Sequence, residues 1–438
     1  MKTLYTKTPI ISKLKKAFWK IFSKESTPIK EHLFDLLISV LCLNGFQSVK
    51  FNYEHFIESI SEFKLKSYYF TLNESCIDLT EWLKNIINMA LSIIPLKLKE
   101  QPIILSVDDT MVEKYGGKFE NSELLFDHAK HNGSNYLKGH CFVSLMLSIP
   151  VLENNQIRYI SFPVGYRMWT KEKTKLAMAA ELVKSAMTVI GSERNVCLCC
   201  DSWYPKSEIL SLPDEFENLA IICNARHDTV LYELPPEPTH KKGRPKVHGE
   251  KITPDDFIFT QVKGTDYSVG CRQVMTKIFG SRSVYAIATK SKGGCIRLFF
   301  CTKAPQQLHF DLNCHSSGKS LLYAQTDINF LPLTIYSLRW NIEVAYYEQK
   351  KFWSLSDYML RSKVGIERLI NLLTLLYALM LLLPFYDNTF YSLSHNSPQQ
   401  SRFVIGMSIQ RELFFVDFRQ KPKLSKNALL SHFSFATL

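Results

Sequence analysis

A mixed α/β core, preceded by a helical domain and interrupted by a β-rich insertion, is the fold class that the 438-residue sequence predicts. Three patterns carry that expectation. Apolar residues recur at three- and four-residue steps up to about residue 95, β-branched runs then alternate with a helical segment, and short strands separated by polar turns fill residues 226–318. The chain exceeds the roughly 250–300 residues that one hydrophobic core usually serves, so two or three domains, or one core with a large insertion, are expected.

In chain order, "IKEHLFDLLISVLCL" and "YEHFIESISEFK" read as amphipathic helices of a domain over 1–95, whose first thirty residues carry eight lysines as a basic arm. The first part of the core, 96–225, opens with the strand "QPIILSVDDT". The strands "HCFVSLMLSIPV" and "IRYISFPVGYRM" follow, then the helix "KTKLAMAAELVKSAMTVI" and a short buried strand, "NVCLCC", that ends on Asp201. In 226–318, "FIFTQV", "DYSVGCRQV", "SVYAIAT" and "IRLFFCT" are short strands broken by the turns "KGTD" and "KSKGG". The core resumes over 319–385 with a strand, "SLLYAQTDI". Pro332 then sits in the first turn of a helix that runs on through "YSLRWNIEVAYYEQKK". Residues 386–438 offer no chemistry.

Lys and Arg total 53 against 41 acidic residues, a formal charge of +12, which favours a polyanionic partner: nucleic acid or an anionic membrane. Eleven scattered cysteines, an odd number, argue against a disulfide framework and fit a reducing cytoplasm. "AFWKIF" is too short and too interrupted to be the apolar core of a secretory leader. "LINLLTLLYALMLLLPFY", 369–386, is long enough to span a bilayer, but Asn371, Thr374 and Pro384 interrupt it and it reads as a buried core helix. The rival reading is a membrane protein with this span and the lysine-rich start on anionic lipid.

Two strands end in aspartate, at Asp108–Asp109 and at Asp201, and ligands gather at strand ends in α/β sheets. With Glu343 on the later helix, three carboxylates can hold one or two Mg²⁺ ions and leave positions open for water and phosphate oxygens. Asp108 and Asp109 alternate across the strand, so one of them is a bystander. On a continuous helix Tyr336, Arg339, Glu343 and Lys350 fall within an arc of roughly 60°, a single polar stripe. Its bland reading is a solvated charged face. The loop "HKKGRPKVHGEK" presents Lys241, Lys242, Arg244 and Lys246 as a phosphate clamp or minor-groove hook, or else is an ordinary exposed loop. Trp203, Tyr204, Tyr267 and Tyr285 are either stacking platforms for a base or core aromatics. His128 and His131 lack partners at metal-ligand spacing and read as loop or core histidines.

The stretches "SVDDT", "CCDSWY" and "YSLRWNIEVAYYEQKK" together resemble the DDE transposases of bacterial insertion sequences, in particular the insertion-sequence-four group. The last stretch matches that group's Y-x2-R-x3-E-x6-K signature at every defined position. The resemblance covers roughly residues 96–385. It implies a ribonuclease-H-like catalytic core with Asp109, Asp201 and Glu343 as catalytic metal ligands and Asp108 as the acidic neighbour of the first. It further implies two Mg²⁺ ions, with Mn²⁺ able to substitute, and Tyr336, Arg339 and Lys350 as DNA-phosphate contacts. The implied partner is double-stranded DNA, both the element's terminal inverted repeats and the target, and excision through a DNA hairpin comes with the resemblance alone. On this reading 1–95 binds DNA, 386–438 takes part in dimerisation on DNA, no membrane is involved, and the protein is cytoplasmic and associated with the bacterial nucleoid. The alternative is a catalytically inactive, transposase-derived DNA-binding protein.

Overall fold

The computed structural model describes residues 9–127, 133–226, 228–237, 246–263, 265–311, 315–316 and 327–420. Helices α1 (Pro9–Ile21), α2 (Thr27–Cys42), α3 (Leu65–Asn73) and α4 (Leu79–Ser92) form the N-terminal part. The segment read as "YEHFIESISEFK" folds as a short helix whose middle, Tyr53–Ile57, is a π-helical turn. Start signals match the chemistry of helix ends: Pro28 lies in the first turn of α2, and the Asp78 carboxylate caps α4 by accepting from the Thr80 N–H at 2.8 Å.

Among the described residues an 11-stranded mixed sheet follows. Its strands are β1 (Ile103–Glu113), β2 (Glu123–Phe126), β3 (Tyr136–Glu153), β4 (Gln156–Met168), β5 (Val196–Cys200), β6 (Leu219–Asn224), β7 (Tyr267–Val274), β8 (Val284–Ser291) and β9 (Ile296–Cys301), with a two-residue strand at each edge. The order through the middle is β4-β3-β1-β5-β6-β9-β8-β7, and β2 pairs with β3. β1, β3 and β4 are an antiparallel meander, β5 and β6 run parallel to β1, and β9, β8 and β7 continue antiparallel. The strands read from the sequence around residues 105, 145, 160, 198, 270, 287 and 299 are all present. β6 was not anticipated, and "FIFTQV" contributes only Thr260–Gln261. The β-rich stretch is therefore continuous with the central sheet, because β9 pairs directly with β6. The strand expected at "SLLYAQTDI" lies, for the most part, outside the described residues.

Helix α5 (Lys175–Ile190) packs on one face of β1 and β3. On the opposite face, α6 (Leu331–Ser337) covers β5 and β6, and α7 (Trp340–Phe352) covers β1 and β4. Helix α8 (Lys363–Tyr386) is the apolar segment weighed as a membrane span: it is long and apolar enough to cross one, and 83% of its most apolar window is buried in the fold. Burial against β4, α2, α3 and α4 accounts for its composition. Its polar residues are matched: Asn371 donates to the Tyr166 carbonyl and accepts from the Tyr166 N–H, each at 2.9 Å. Arg368 donates to the carbonyls of Thr71, Leu72 and Ser75, fastening the N-terminal helices to it. Helix α9 (Pro398–Gln420) lies on α2, where a Cβ at Gly406 would collide with the Leu41 carbonyl, so only glycine allows the approach. The ten cysteines among the described residues are free thiols, six of them in β3, β5, β6 and β9 and buried.

Replacing Arg368 with Met strips a charged donor from three carbonyls that it bonds in the interior. The variant is expected to lose about 2–3 kcal/mol of unfolding free energy, read from the denaturant midpoint.

Candidate active site

The parallel pairing of β1 with β5 puts the two aspartate-bearing strand ends side by side. Strand alternation then sends Asp108 and Asp109 to opposite faces. Asp108 lies on the face covered by α6 and α7: its neighbour across the sheet, Ser144, hydrogen-bonds the Tyr346 hydroxyl of α7 at 2.5 Å. The guanidinium of Arg339 donates to Asp108 Oδ2 at 3.1 Å and to Glu343 Oε1 at 2.6 Å, bridging the two carboxylates. Arg339 is only 12% exposed, and its Nε is buried without a hydrogen-bond partner. Burial pushes the Asp108 carboxyl up to about 7; Arg339 and the Asp109 N–H pull the other way, while Asp201 and Asp109 add to the rise. Asp201 is thus close enough to be felt by Asp108, and its own Oδ1 accepts from the Trp203 N–H at 2.9 Å.

Asp109 faces the α5 side. Its Oδ2 accepts from Lys175 at 2.6 Å and from the Cys141 thiol at 3.2 Å, and its Oδ1 accepts from the Tyr204 hydroxyl at 3.1 Å. Lys175 stands at the first position of α5, which Thr174 caps by accepting from the Ala177 N–H at 3.1 Å. An ammonium at the positive end of a helix is unfavourable, and Asp109 offsets it.

The structure thus joins Asp108 to Glu343 through Arg339, sets the strand that ends at Asp201 beside the one that bears Asp108, and ties Asp109 to a separate ion pair. Alternation separates Asp108 from Asp109 as expected, and because α6 and α7 cover the face of β1 that carries Ile104 and Asp108, it is Asp108, the acidic neighbour of the motif's aspartate, that shares Arg339 with Glu343. The single helix expected through "YSLRWNIEVAYYEQKK" is corrected: it breaks between Ser337 and Trp340 into α6 and α7. Across the break the backbone bonds step by three residues, Arg339 N–H to Tyr336 carbonyl at 2.9 Å and Ile342 N–H to Arg339 carbonyl at 3.0 Å. Side chains three apart eclipse in such a turn, which sets Arg339 beside the Tyr336 ring, 5.7 Å from its centroid. Tyr336 itself packs edge-on against Phe299 of β9. Lys350, two turns beyond Glu343, is half-buried near Cys141 and Asp127, and burial lowers its pKa. Lys246 is exposed, whereas Lys241, Lys242 and Arg244, like His128 and His131, lie outside the described residues.

Carboxylate oxygens are the donor class magnesium takes, and a bound cation would offset the buried charge of Asp108. The donor chemistry fits such an ion. In this arrangement the guanidinium of Arg339 stands between Asp108 and Glu343, and among the described residues no three His, Cys, Asp or Glu side chains form a group that could hold a metal. Sequence reasoning passed over Lys175 and Cys141. Position one of a capped helix beside the aspartate strand was the available signal for the lysine; nothing marked the thiol. Comparison with known protein families and with curated protein sequences finds no match.

The raised carboxyl of Asp108 has a sign that can be checked without divalent metal. An unfolded aspartate titrates near 4. The group therefore contributes stability below about pH 4 that is lost as pH rises through about 7. Asp108→Asn removes that dependence. Its melting temperature relative to wild type is expected to climb between about pH 4 and 8, while Asp109→Asn, which breaks the Lys175 pair, is expected to be destabilised at pH 7.

Proposed function

We propose that this chain is a DDE-type transposase, which hydrolyses phosphodiesters at the ends of an insertion sequence and joins the freed 3′-hydroxyls to target DNA. One observation carries the reading: Arg339 joins Asp108, at the end of β1, to Glu343 on α7, with Asp201 of the adjacent parallel strand in the field of Asp108. The order β4-β3-β1-β5-β6, an antiparallel meander followed by two strands parallel to its first, supports a ribonuclease-H-like core. The net charge of +12 supports a DNA partner. A homodimer on DNA and a place at the bacterial nucleoid belong to the same proposal.

Only with Arg339 moved off its carboxylates onto the strand would Asp201, Glu343 and Asp108 hold magnesium, or manganese in its place, and the chemistry so supplied is activation of the attacking oxygen and stabilisation of the leaving one. Asp108 takes the part that the sequence motif gives to Asp109, since Asp109 already accepts from Lys175, Cys141 and Tyr204. Asp109 instead fixes Tyr204 and the start of α5. Arg339 has a planar fork suited to phosphate and a fifth donor, Nε, without a partner. On DNA it would exchange a carboxylate for a phosphodiester oxygen of the strand. Tyr336 holds that guanidinium from the side, while Lys350 and the loop bearing Lys241, Lys242, Arg244 and Lys246 take further phosphates.

The test uses purified protein, Mg²⁺ and a plasmid carrying the DNA that flanks the coding sequence. Wild type is expected to cut at the element ends. Asp201→Ala, Glu343→Ala and Asp108→Asn are expected to cut at least a hundredfold more slowly while binding the ends within about threefold, with Asp109→Asn milder than Asp108→Asn. Binding without cutting by wild type would favour the inactive, DNA-binding descendant, and absence of both would remove the reading.

A second measurement addresses the arginine. Arg339→Ala is expected to lower the slope of log affinity against log salt by about one, and Arg339→Lys to leave strand positioning unrepaired, because an ammonium cannot make a bidentate fork.

A further inference from the structure

The cation that joins Asp108 to Glu343 stands where a cation is otherwise disfavoured. Arg339 is only 12% exposed, and it occupies the N-cap position of α7, toward which the helix dipole presents its positive end. Its Nε–H is buried without a hydrogen-bond partner. Two carboxylates hold it there, Asp108 Oδ2 at 3.1 Å and Glu343 Oε1 at 2.6 Å, with the Tyr336 ring alongside. A guanidinium spanning two carboxylates fills the place between them that a divalent ion would take, and two cations drawn to the same pair of charges repel each other. A strand phosphate alters that balance. It offers the planar fork a pair of acceptor oxygens, as a carboxylate does, so the arginine can leave the acids without becoming an unpaired buried charge. Both acids then face the divalent ion with their charge unspent.

We infer that Arg339 is a built-in counter-ion that shuts the carboxylate site to divalent cations until a DNA phosphate draws its guanidinium away, so that strand and cation load cooperatively. The inference rests on the proposed DNA reaction and adds an order to it, strand before metal, under which the DNA-free protein binds divalent cations weakly. Linkage makes the effect reciprocal: the factor by which DNA tightens the cation is the factor by which the cation tightens DNA. Removing the guanidinium removes both the block and the coupling.

Binding of Mn²⁺ to full-length protein is followed by loss of the free-ion signal in electron paramagnetic resonance, with and without a duplex of the cut element end. The 3′ termini of the duplex are dideoxy, so that nothing can be joined, and the signal lost to duplex alone is subtracted. Without DNA, Arg339→Gln is expected to bind Mn²⁺ about tenfold or more tightly than wild type, and Asp108→Asn placed in the same chain to abolish that gain. The duplex is expected to tighten Mn²⁺ at least about tenfold in wild type and no more than about threefold in Arg339→Gln. Equal Mn²⁺ affinity of wild type and a folded Arg339→Gln without DNA, or a gain that survives Asp108→Asn, overturns the counter-ion role and leaves the DNA reaction standing. Should Arg339→Gln not fold, wild type alone decides: Mn²⁺ affinity that the bound duplex leaves unchanged overturns the coupling. A wild type that does not bind the duplex overturns both the coupling and the DNA reaction.

Discussion

The burial of one apolar helix is the constraint on which the remaining architecture depends. Helix α8 has 24 residues and a run of leucines that water would not tolerate. Sheet strand β4 covers it on one side and α2, α3 and α4 on others. The polar groups it carries inward then dictate who its neighbours are. Asn371 takes both backbone groups of Tyr166, and the Tyr166 hydroxyl donates to Gln349 of α7, whose amide reaches back to Thr374 at 3.4 Å. Leaving any of these unmet in the interior costs more than the bond itself contributes. The docking of α7, and with it the aim of Arg339 and Glu343, is thereby fixed from α8, whose Tyr377 hydroxyl also donates to Glu348 of α7 at 2.6 Å.

The charged groups are held by two cations placed on opposite faces of β1. Lys175 neutralises Asp109, and Arg339 is divided between Asp108 and Glu343. The two arrangements differ in consequence. Asp109 has three donors and a full unit of opposing charge beside it, whereas Asp108 shares its counterion and feels Asp201 as well. Adjacent residues on one strand have become a fully paired anchor and a carboxylate with a shared counterion and a raised pKa through nothing more than the side on which each emerges.

Much of this was legible in the residues themselves. Alternating β-branched runs gave β1, β3, β4, β5 and the three strands of the β-rich stretch, and three- and four-residue periodicity gave the N-terminal helices and α5. Local pattern ran out where the answer was non-local. "LAIICN" is short, follows "SLPDEFEN", and reads equally as the end of a helical segment; its place beside β5 and β9 makes it the strand β6. No Gly or Pro marks the break at Leu338 and Arg339, which packing of α6 on β5 and α7 on β4 imposes. Alternation states that Asp108 and Asp109 diverge, but which of them meets Glu343 depends on which helix covers which face, and no window of sequence contains both. The spacing marks Arg339 as a phosphate ligand; its role as the bridge between two carboxylates depends on the packing of α7 over β1.

The pairing of β9 with β6 bears on how such a protein can be altered over evolutionary time. A lobe joined by two crossings of flexible chain can be lengthened, exchanged or lost with little disturbance to its host. Here Phe299, Phe300 and Cys301 are laddered to Asn224, Cys223 and Ile222, so deleting the stretch would leave the row of amides and carbonyls along β6 unpaired. A bare strand edge of that kind invites pairing with another chain. Lengthening that leaves this ladder intact is therefore expected in the turns between β7, β8 and β9 rather than along β9 itself.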